Sequence, residues 1–201
     1  MKRILILIQA LLALCLAAYA TAANVPATVT KVCANCHGAD GNSESPMFPR
    51  LAGQEPDYLQ RQLLAYRDQT RANPAAQNYM WGMAKLLTDD DIKQVANWFA
   101  AQAPVYDKQP GAGDDRGRMA DAIFRQGLPD QGVPACATCH GDRAQGTSIA
   151  PRLAGQHAHY IESQLKVLAT GERPAAVMMQ PIAQKLNEEQ VAALAAYLGK
   201  L

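Results

Sequence analysis

The sequence predicts an all-α protein made of two tandem helical units. A motif of two cysteines and a histidine occurs twice, about a hundred residues apart, and the hexapeptide PRLAGQ follows each copy. Apolar residues repeat at helical spacing, and no alternating β-branched runs lie between turn residues. A chain of 201 residues is long enough for two compact units of this kind.

Residues 1–23 have the layout of a secretory signal peptide. Lys2 and Arg3 precede a short apolar stretch that ends in small residues, so we expect cleavage after Ala22 or Ala23. The apolar stretch is short for a membrane span, and an uncleaved anchor is therefore the less favoured alternative. The sequence predicts an exported protein, which we assign to the periplasm.

The charge and the cysteine content restrict the function further. The chain has 19 basic and 18 acidic residues, and loss of Lys2 and Arg3 with the leader gives a formal charge of −1. This balance excludes the basic surface of a nucleic-acid-binding protein. Cys15 lies in the leader, and the other four cysteines enter an oxidising compartment, where thiols pair unless other chemistry uses them.

The two halves agree well beyond the cysteine motif. PRLAGQ at residues 49–54 recurs unchanged at residues 151–156, and a tyrosine and a glutamine follow each copy at the same distances. These are Tyr58 and Gln62 in the first half, and Tyr160 and Gln164 in the second. We interpret this agreement as a tandem duplication.

A linker separates the two copies. The stretch APVYDKQPGAGDD, at residues 103–115, contains two prolines and two glycines and lacks apolar periodicity. We place the boundary near Pro110, which gives an N-terminal domain of residues 24–109 and a C-terminal domain of residues 110–201.

Each unit is predicted to end in an amphipathic helix. Thr88 is the N-cap in the first unit, and Asn187 in the second, where Gln190 stands at the third helical position. A middle helix follows each PRLAGQ segment, around residues 58–68 and 160–169.

Cys-x-x-Cys-His is the attachment signature of c-type haem. One helical turn brings both sulfurs to one edge of the porphyrin, where they form thioethers with its vinyl groups, and the histidine turns toward the iron. Zinc sites of this class bring two cysteine pairs together within about 15–20 residues, and a thioredoxin-like pair needs a βαβ context. We therefore predict two covalently bound haem c groups. Their attachment residues are Cys33, Cys36 and His37 in the first unit, and Cys136, Cys139 and His140 in the second.

One histidine per iron leaves a sixth coordination position. Met80 lies eight residues before Thr88, and Met179 lies eight residues before Asn187. No other methionines share a register, so we predict that Met80 and Met179 are axial ligands. Methionine is ordinarily core filler, and core positions are what we expect for Met47, Met83 and Met178.

Two further histidines are the remaining ligand candidates. His157 and His159 follow His140 by only 17 and 19 residues, which makes the opposite haem face hard to reach. We expect both to be exposed polar residues.

A soft thioether favours ferrous iron, and two six-coordinate irons have no open position for a substrate. The predicted activity is therefore outer-sphere electron transfer, without enzymatic chemistry.

With these residues in place, the chain resembles diheme cytochromes c of the c4 type. CANCHGADGNS, PRLAGQ, the MWGM loop at Met80 and their second-half counterparts carry the resemblance, which covers essentially the whole chain after the leader. It implies two cytochrome c domains related by pseudo-twofold symmetry. It also implies a monomeric periplasmic carrier, peripherally associated with the membrane, that takes electrons from a cytochrome bc1-type donor to a terminal oxidase or reductase.

The same resemblance implies roles for four further residues. Arg50 and Arg152 would neutralise haem propionates, and Tyr58 and Tyr160 would line the haem or the domain contact. The second half departs from the pattern because MMQPI replaces the MxxM pairing, which leaves Met178 as an alternative ligand.

Two other functions stay open: a diheme peroxidase-like enzyme with a displaceable iron ligand, and a haem subunit of a larger oxidoreductase complex.

Overall fold

The structure, a computed structural model, describes residues 25–106, called the first half below, and residues 114–201, called the second half. The predicted leader and the domain boundary near Pro110 lie outside the described residues. Within the two described ranges the chain is helical, and one isolated antiparallel bridge joins Leu128 to Val133. The all-α prediction is confirmed.

The first half contains short helices around the cysteine motif and two longer ones that pack together. In chain order these are a π-helical turn (Val29–Cys33), α1 (Ala34–His37), α2 (Pro56–Arg67), a second π-helical turn (Ala76–Met80), α3 (Trp81–Ala84) and α4 (Asp89–Ala100). Helix α4 begins at the predicted N-cap. The Asp91 N–H donates to the Thr88 hydroxyl at 3.1 Å, and the Thr88 N–H donates to the Asp91 carboxylate at 3.0 Å, which forms a capping box.

The second half repeats this order with one additional helix. Its elements are α5 (Asp115–Gln126), a 3-10 turn (Pro129–Gln131), α6 (Ala137–His140), α7 (Ala158–Thr170), α8 (Met179–Ala183) and α9 (Glu188–Leu198). Asn187 and Gln190 form the capping box of α9, as predicted. Helix α7 ends at Gly171, whose φ of 84° is the left-handed conformation that glycine adopts at low cost.

Helix α5 was not predicted. In the first half the helical chain runs directly from Val29 into the cysteine motif, so comparison of the two copies offers no counterpart for α5. The helix also begins where the linker composition ends. Its buried side chains include Ala120, Ile123 and Phe124, which pack against α9.

Each half has its own small apolar core. In the first half, α4 packs across α2, and the buried residues are Val29, Leu59, Val95, Ala96 and Phe99. In the second half, α9 packs against α5 and α7 and buries Ile123, Phe124, Ile161, Leu194 and Leu198 among others. Few large side chains occupy either core, which is expected of units of this size.

Replacement of Phe99 by alanine should destabilise the first half strongly. The side chain is fully buried, so the substitution removes apolar contact and leaves a cavity, at a cost of about 3–5 kcal/mol. Leu86→Ala is the matched control, because Leu86 is 85% exposed and its loss should change stability by no more than about 0.5 kcal/mol. Denaturant unfolding of the haem-loaded protein, followed by circular dichroism, measures both. Equal effects of the two substitutions would contradict this assignment of the core.

The two PRLAGQ segments meet at the contact between the halves. Gln156 accepts from the Arg50 N–H at 2.9 Å and donates to the Arg50 carbonyl at 2.9 Å. Gln54 makes the same pair of bonds with Arg152, at 2.8 and 3.0 Å. Each half therefore uses the same residues to hold the other, which is the reciprocal pattern of a twofold interface.

In the described part of the chain, no helix is both long enough and apolar enough to cross a bilayer.

Candidate haem sites

The four cysteines of the two motifs differ in their exposure. Cys33 and Cys136 are half-buried, whereas Cys36 and Cys139 are exposed. Before haem attachment, burial raises the pKa of the Cys33 thiol to about 11 and also raises that of Cys136. No disulfide uses these sulfurs, and each pair stays available for thioether formation.

Each motif histidine is buried and oriented by a proline carbonyl. His37 Nδ1 lies 2.9 Å from the Pro49 oxygen, and His140 Nδ1 lies 2.8 Å from the Pro151 oxygen. Because a carbonyl only accepts, Nδ1 carries the proton in both rings, and the Nε2 lone pair is available to bind iron. Burial lowers the pKa of both imidazoles, partly offset by these hydrogen bonds, so the neutral ligand form is favoured.

The PRLAGQ segment explains this geometry and its own repetition. Its proline supplies the carbonyl that orients the histidine, and its glutamine crosses to the other half. Its leucine fixes the segment to the haem-motif loop: the Leu51 N–H donates to the Gly41 carbonyl at 2.7 Å, and the Leu153 N–H donates to the Ala144 carbonyl at 2.8 Å. One short sequence thus links each histidine to the contact between the halves.

The two methionines that share a register are also alike in burial. Met80 ends the second π-helical turn and Met179 begins α8, and both are half-buried. The expectation that the other methionines of these loops occupy core positions was wrong. Met47, Met83 and Met178 are 58%, 49% and 77% exposed.

The reason is that two apolar residues at matching positions of the repeat need not both be buried by protein. Met47 corresponds to Ile149, and Met178 corresponds to Tyr79, and these partners are themselves 74% and 44% exposed. A shared apolar character therefore indicates a shared environment beside the haem motifs, and it does not require burial by protein atoms.

Aromatic rings connect the Met80 loop to the histidine of the first half. The Phe48 ring packs edge-on against Tyr79, with 5.6 Å between centroids, and against His37, with 6.1 Å. The Trp81 indole N–H donates to the Arg71 carbonyl at 2.9 Å. Both neighbours of Met80 in sequence are thus held in place.

His157 departs from its predicted environment. It is 8% exposed, and its Nε2 lies 2.8 Å from the Ser43 carbonyl of the other half. The prediction of an exposed polar residue was wrong because His157 immediately precedes α7 at the contact between the halves. His159 is exposed, as predicted.

Arg50 and Arg152 also lie at this contact. The Arg50 Nη1 donates to the Gly155 carbonyl at 2.7 Å. The Arg152 guanidinium stacks on the Tyr106 ring, 5.2 Å from its centroid, and donates to the Tyr106 hydroxyl. The Arg152 Nε is buried and meets no acceptor among the described residues. A buried N–H with this geometry fits an anionic group such as a haem propionate.

Two further arginines, for which the sequence predicted no role, also join the halves through their side chains. Arg71 and Arg173 are 4% and 9% exposed. We call the set of residues around them the interface arginine cluster. Its members are Arg71, Arg173, Gln62, Gln164, Tyr58 and Tyr160.

The bonds of this cluster cross between the halves. Arg71 donates to Gln62 of its own half at 2.7 Å and to Gln164 of the other half at 2.6 Å. Arg173 donates to the same two oxygens, each at 3.0 Å. The tyrosines complete the symmetry, because the Tyr58 hydroxyl accepts from Arg173 at 3.0 Å and the Tyr160 hydroxyl accepts from Arg71 at 3.3 Å.

The charges of this cluster are not balanced by protein groups in the described ranges. No ion pair there joins Arg71 or Arg173 to a carboxylate. An uncompensated buried charge typically costs about 3–5 kcal/mol. Burial acts to raise the pKa of the Tyr58 hydroxyl, but the positive charges of Arg173 and Arg71 outweigh it, and the net shift is downward. Two guanidinium charges thus act on the Tyr58 hydroxyl.

A signal for this cluster was present in the sequence. Arg71 follows Gln62 by nine residues, and Arg173 follows Gln164 by nine residues. The methionines were matched by their distances to the N-caps of the final helices, and the same count does not align the two arginines. The loops that connect these arginines to the final helices differ in length by three residues.

These features define a class of protein, a helical chain of two halves in contact, each with one haem-attachment motif. The cytochrome c family model matches residues 22–102 and 131–201. The chain is similar to cytochrome c4 of Thiocapsa roseopersicina, with 39% identity over 176 residues, 85% of this chain and 87% of the relative. The solved structure of Acidithiobacillus ferrooxidans cytochrome c4 superposes with a TM-score of 0.77 and 39% identity, covering 84% of this chain and 98% of that one.

A third relative is the thiosulfate dehydrogenase electron acceptor of Thiomonas intermedia. It is 33% identical over 171 residues, 83% of this chain and 77% of the relative. The chain belongs to the cytochrome c family and, within it, to the diheme cytochromes of the c4 type. It carries two covalently bound haem c groups and has an electron-carrier role.

Proposed function

We propose that this chain is a periplasmic one-electron shuttle whose two haems are each ligated by one histidine and one methionine. His37 and Met80 would hold the first iron, and His140 and Met179 the second. The thioether bonds would come from Cys33, Cys36, Cys136 and Cys139. The observation that carries the proposal is the paired orientation of the two buried histidines, each with Nδ1 held by a proline carbonyl and Nε2 left for iron.

The proposed ligands favour electron transfer over catalysis. Haem supplies iron that alternates between the ferrous and ferric states. A neutral thioether opposite a neutral imidazole favours the ferrous state, which raises the potential. Since protein side chains would fill both axial positions, no substrate could reach the metal, which argues against the peroxidase-like alternative.

The two halves would operate as linked domains of one monomeric carrier, with domains of residues 24–109 and 110–201. Each would keep its own haem, and the direct contact between them would bring the haem propionates near the Arg50 and Arg152 side chains. Tyr58 and Tyr160 would form part of the same contact. The predicted leader supports export, and peripheral membrane association would bring the carrier close to its partners.

We assign the donor to the cytochrome bc1 type and the acceptor to the terminal oxidases or reductases. A second assignment rests on a specific relative. The similarity to a thiosulfate dehydrogenase electron acceptor supports a role as the haem partner of a sulfur-compound dehydrogenase. Copurification under mild extraction distinguishes the two, since a free shuttle elutes alone and a permanent subunit elutes with its enzyme.

The ligand assignment is tested by the red absorption band that arises from charge transfer between methionine sulfur and ferric haem. The oxidised protein should show this band with the intensity of two haems. Met179→Ala should remove about half of it, because one of two equivalent iron–sulfur bonds is lost. Met178→Ala is the matched control and should leave the band unchanged, since Met178 is largely exposed.

The opposite pattern, with loss in Met178→Ala alone, would transfer the ligand role to Met178. Ready binding of carbon monoxide by the wild-type protein would contradict two filled axial positions.

A further inference from the structure

We propose that His157 is a positioning residue for the first haem: from the second half, it supports the loop that orients His37. We call residues 43–49 of the first half the histidine-support loop. The inference rests on the proposed function, in which His37 binds the first iron. It gives a role to a buried histidine that binds no iron in that proposal, and it makes one haem depend on the contact between the halves.

The His157 ring is fixed at this contact by its own backbone. The His157 carbonyl accepts from the Ile161 N–H at 3.0 Å, and its N–H donates to the Gln156 side-chain oxygen at 3.1 Å. The residue is buried, and its Nε2 lies 2.8 Å from the Ser43 carbonyl. Because a carbonyl only accepts, Nε2 carries the proton and donates it. The second half therefore holds the first half at one backbone oxygen.

Ser43 extends this support to the haem histidine of the first half. Its side chain is buried, and its hydroxyl lies 2.9 Å from the Phe48 carbonyl and 2.9 Å from the Ser45 carbonyl. Pro49 comes next in the chain, and its carbonyl accepts from His37 Nδ1. The Phe48 ring also packs edge-on against the His37 ring. Successive contacts thus connect a histidine of the second half to the proposed iron ligand of the first.

The matching residues of the repeat cannot provide the reverse support. Glu55 corresponds to His157, because each directly follows PRLAGQ and each N–H donates to the glutamine before it. An ionised carboxylate has no proton to donate, so Glu55 cannot bind a carbonyl of the other half as His157 does. Gly146 corresponds to Ser43, since it lies six residues after His140, and it has no side chain. The support therefore acts from the second half to the first.

The second half closes the corresponding loop with bonds of its own. The Thr147 N–H donates to the Ala150 carbonyl at 2.9 Å, and the Thr147 hydroxyl donates to the Cys139 carbonyl at 2.7 Å. The segment from the haem histidine to the proline is also one residue shorter here than in the first half. A shorter loop with internal bonds has less freedom to gain when an outside contact is removed. We therefore expect the orientation of His140 to be independent of the first half.

Loss of the His157 donor should weaken the hydrogen bond that orients His37. The buried Ser43 carbonyl would lack this donor, and an unsatisfied buried oxygen favours displacement of the loop toward water. The bond from His37 Nδ1 to a carbonyl makes the imidazole a stronger donor to iron, which favours the ferric state. A weaker bond should therefore raise the potential of the first haem and leave that of the second unchanged.

The substitution His157→Leu tests the proposal through the ring N–H protons of the two haem histidines. Nuclear magnetic resonance of the reduced protein measures the exchange of the His37 and His140 Nδ1 protons with solvent. In the variant, the His37 proton should exchange about ten-fold faster, the scale expected for loss of one hydrogen bond. The His140 proton should exchange as in wild type, and a redox titration should show a rise confined to the first haem.

Three further variants separate positioning from a general effect on the contact. Ser43→Ala removes the next contact in the series and should give the same pattern, so the proposal stays testable if His157→Leu fails to fold. His157→Gln keeps an N–H donor at similar reach and should remain close to wild type. Glu55→Leu is the matched control at the corresponding position of the other half, and it should change neither histidine.

Two results would overturn the proposal. Equal acceleration at His37 and His140 in His157→Leu would show that the whole contact had loosened, with no specific role for the histidine-support loop. Unchanged exchange at His37 in both His157→Leu and Ser43→Ala would show that this loop does not need the other half.

The oxidised wild-type protein keeps this inference distinct from the proposed function. The unpaired electron of ferric haem shifts the resonances of an iron-bound histidine ring far from their ordinary positions. If His37 and His140 both show this shift and His157→Leu changes nothing, the ligand assignment stands and the positioning role alone fails. Absence of the shift at His37 would overturn the ligation of the first iron, and this inference with it.

Discussion

Replacement of both Cys136 and Cys139 by alanine should reduce the haem content from two per chain to one and leave the second half largely unfolded. The core of that half contains few large side chains, among them Ile123, Phe124 and Leu194. Units of this size seldom bury enough apolar surface to fold alone. A covalently attached porphyrin supplies the missing apolar surface, and Cys136 itself packs against the core.

The haem-specific absorbance of the alkaline pyridine complex gives the haem content, and far-UV circular dichroism gives the loss of helix. The matched variant replaces Cys33 and Cys36 by alanine and should remove the other haem, with loss of helix confined to the first half. Two haems retained in the Cys136 and Cys139 variant would show that these cysteines do not attach the cofactor.

Local chemistry made the middle and final helices and the haem motifs predictable. A capping residue acts on its own helix, so Thr88 and Asn187 marked the starts of α4 and α9 without any knowledge of tertiary structure. The haem motif is equally local, because its spacing reflects one helical turn and one porphyrin edge. Duplication strengthened both predictions, since a pattern that occurs twice in register is rarely accidental.

Properties that depend on the other half were not predictable in the same way. His157 and Arg71 are polar residues in segments that look solvent-exposed when each half is considered alone. They are buried because the halves meet there, at Ser43 in one case and at Gln164 in the other. A tandem repeat shows which residues correspond, but it does not show which surfaces face each other.

The burial of the exposed methionines was predicted wrongly for a related reason. Burial by protein and burial by a cofactor favour the same residue types, so Met47 and Met178 carry the sequence signal of a core position while only a minority of their surface contacts protein. In a protein of this kind, hydrophobicity indicates an apolar environment and leaves open whether side chains or haem provide it.

Replacement of Met80 by histidine should lower the reduction potential of the first haem and leave the second nearly unchanged. Imidazole is a stronger donor than a thioether and stabilises ferric iron. Axial ligands set haem potentials over a range of roughly 0.8 V, and a fall on the order of 0.2 V is the expected scale. A redox titration that resolves the two haems measures the shift, and the red charge-transfer band should fall by half in the same sample.

Met83→His is the matched control for this substitution. Met83 stands three residues further along the same MWGM stretch, and its side chain is 49% exposed. It introduces the same imidazole into the same loop, and it should leave both potentials and the band close to wild type. A titration of Met80→His that overlays the wild-type curve would show that another group ligates the first iron. A large fall in Met83→His instead would identify Met83 as that group, and the register argument that selected Met80 and Met179 together would then fail for both halves.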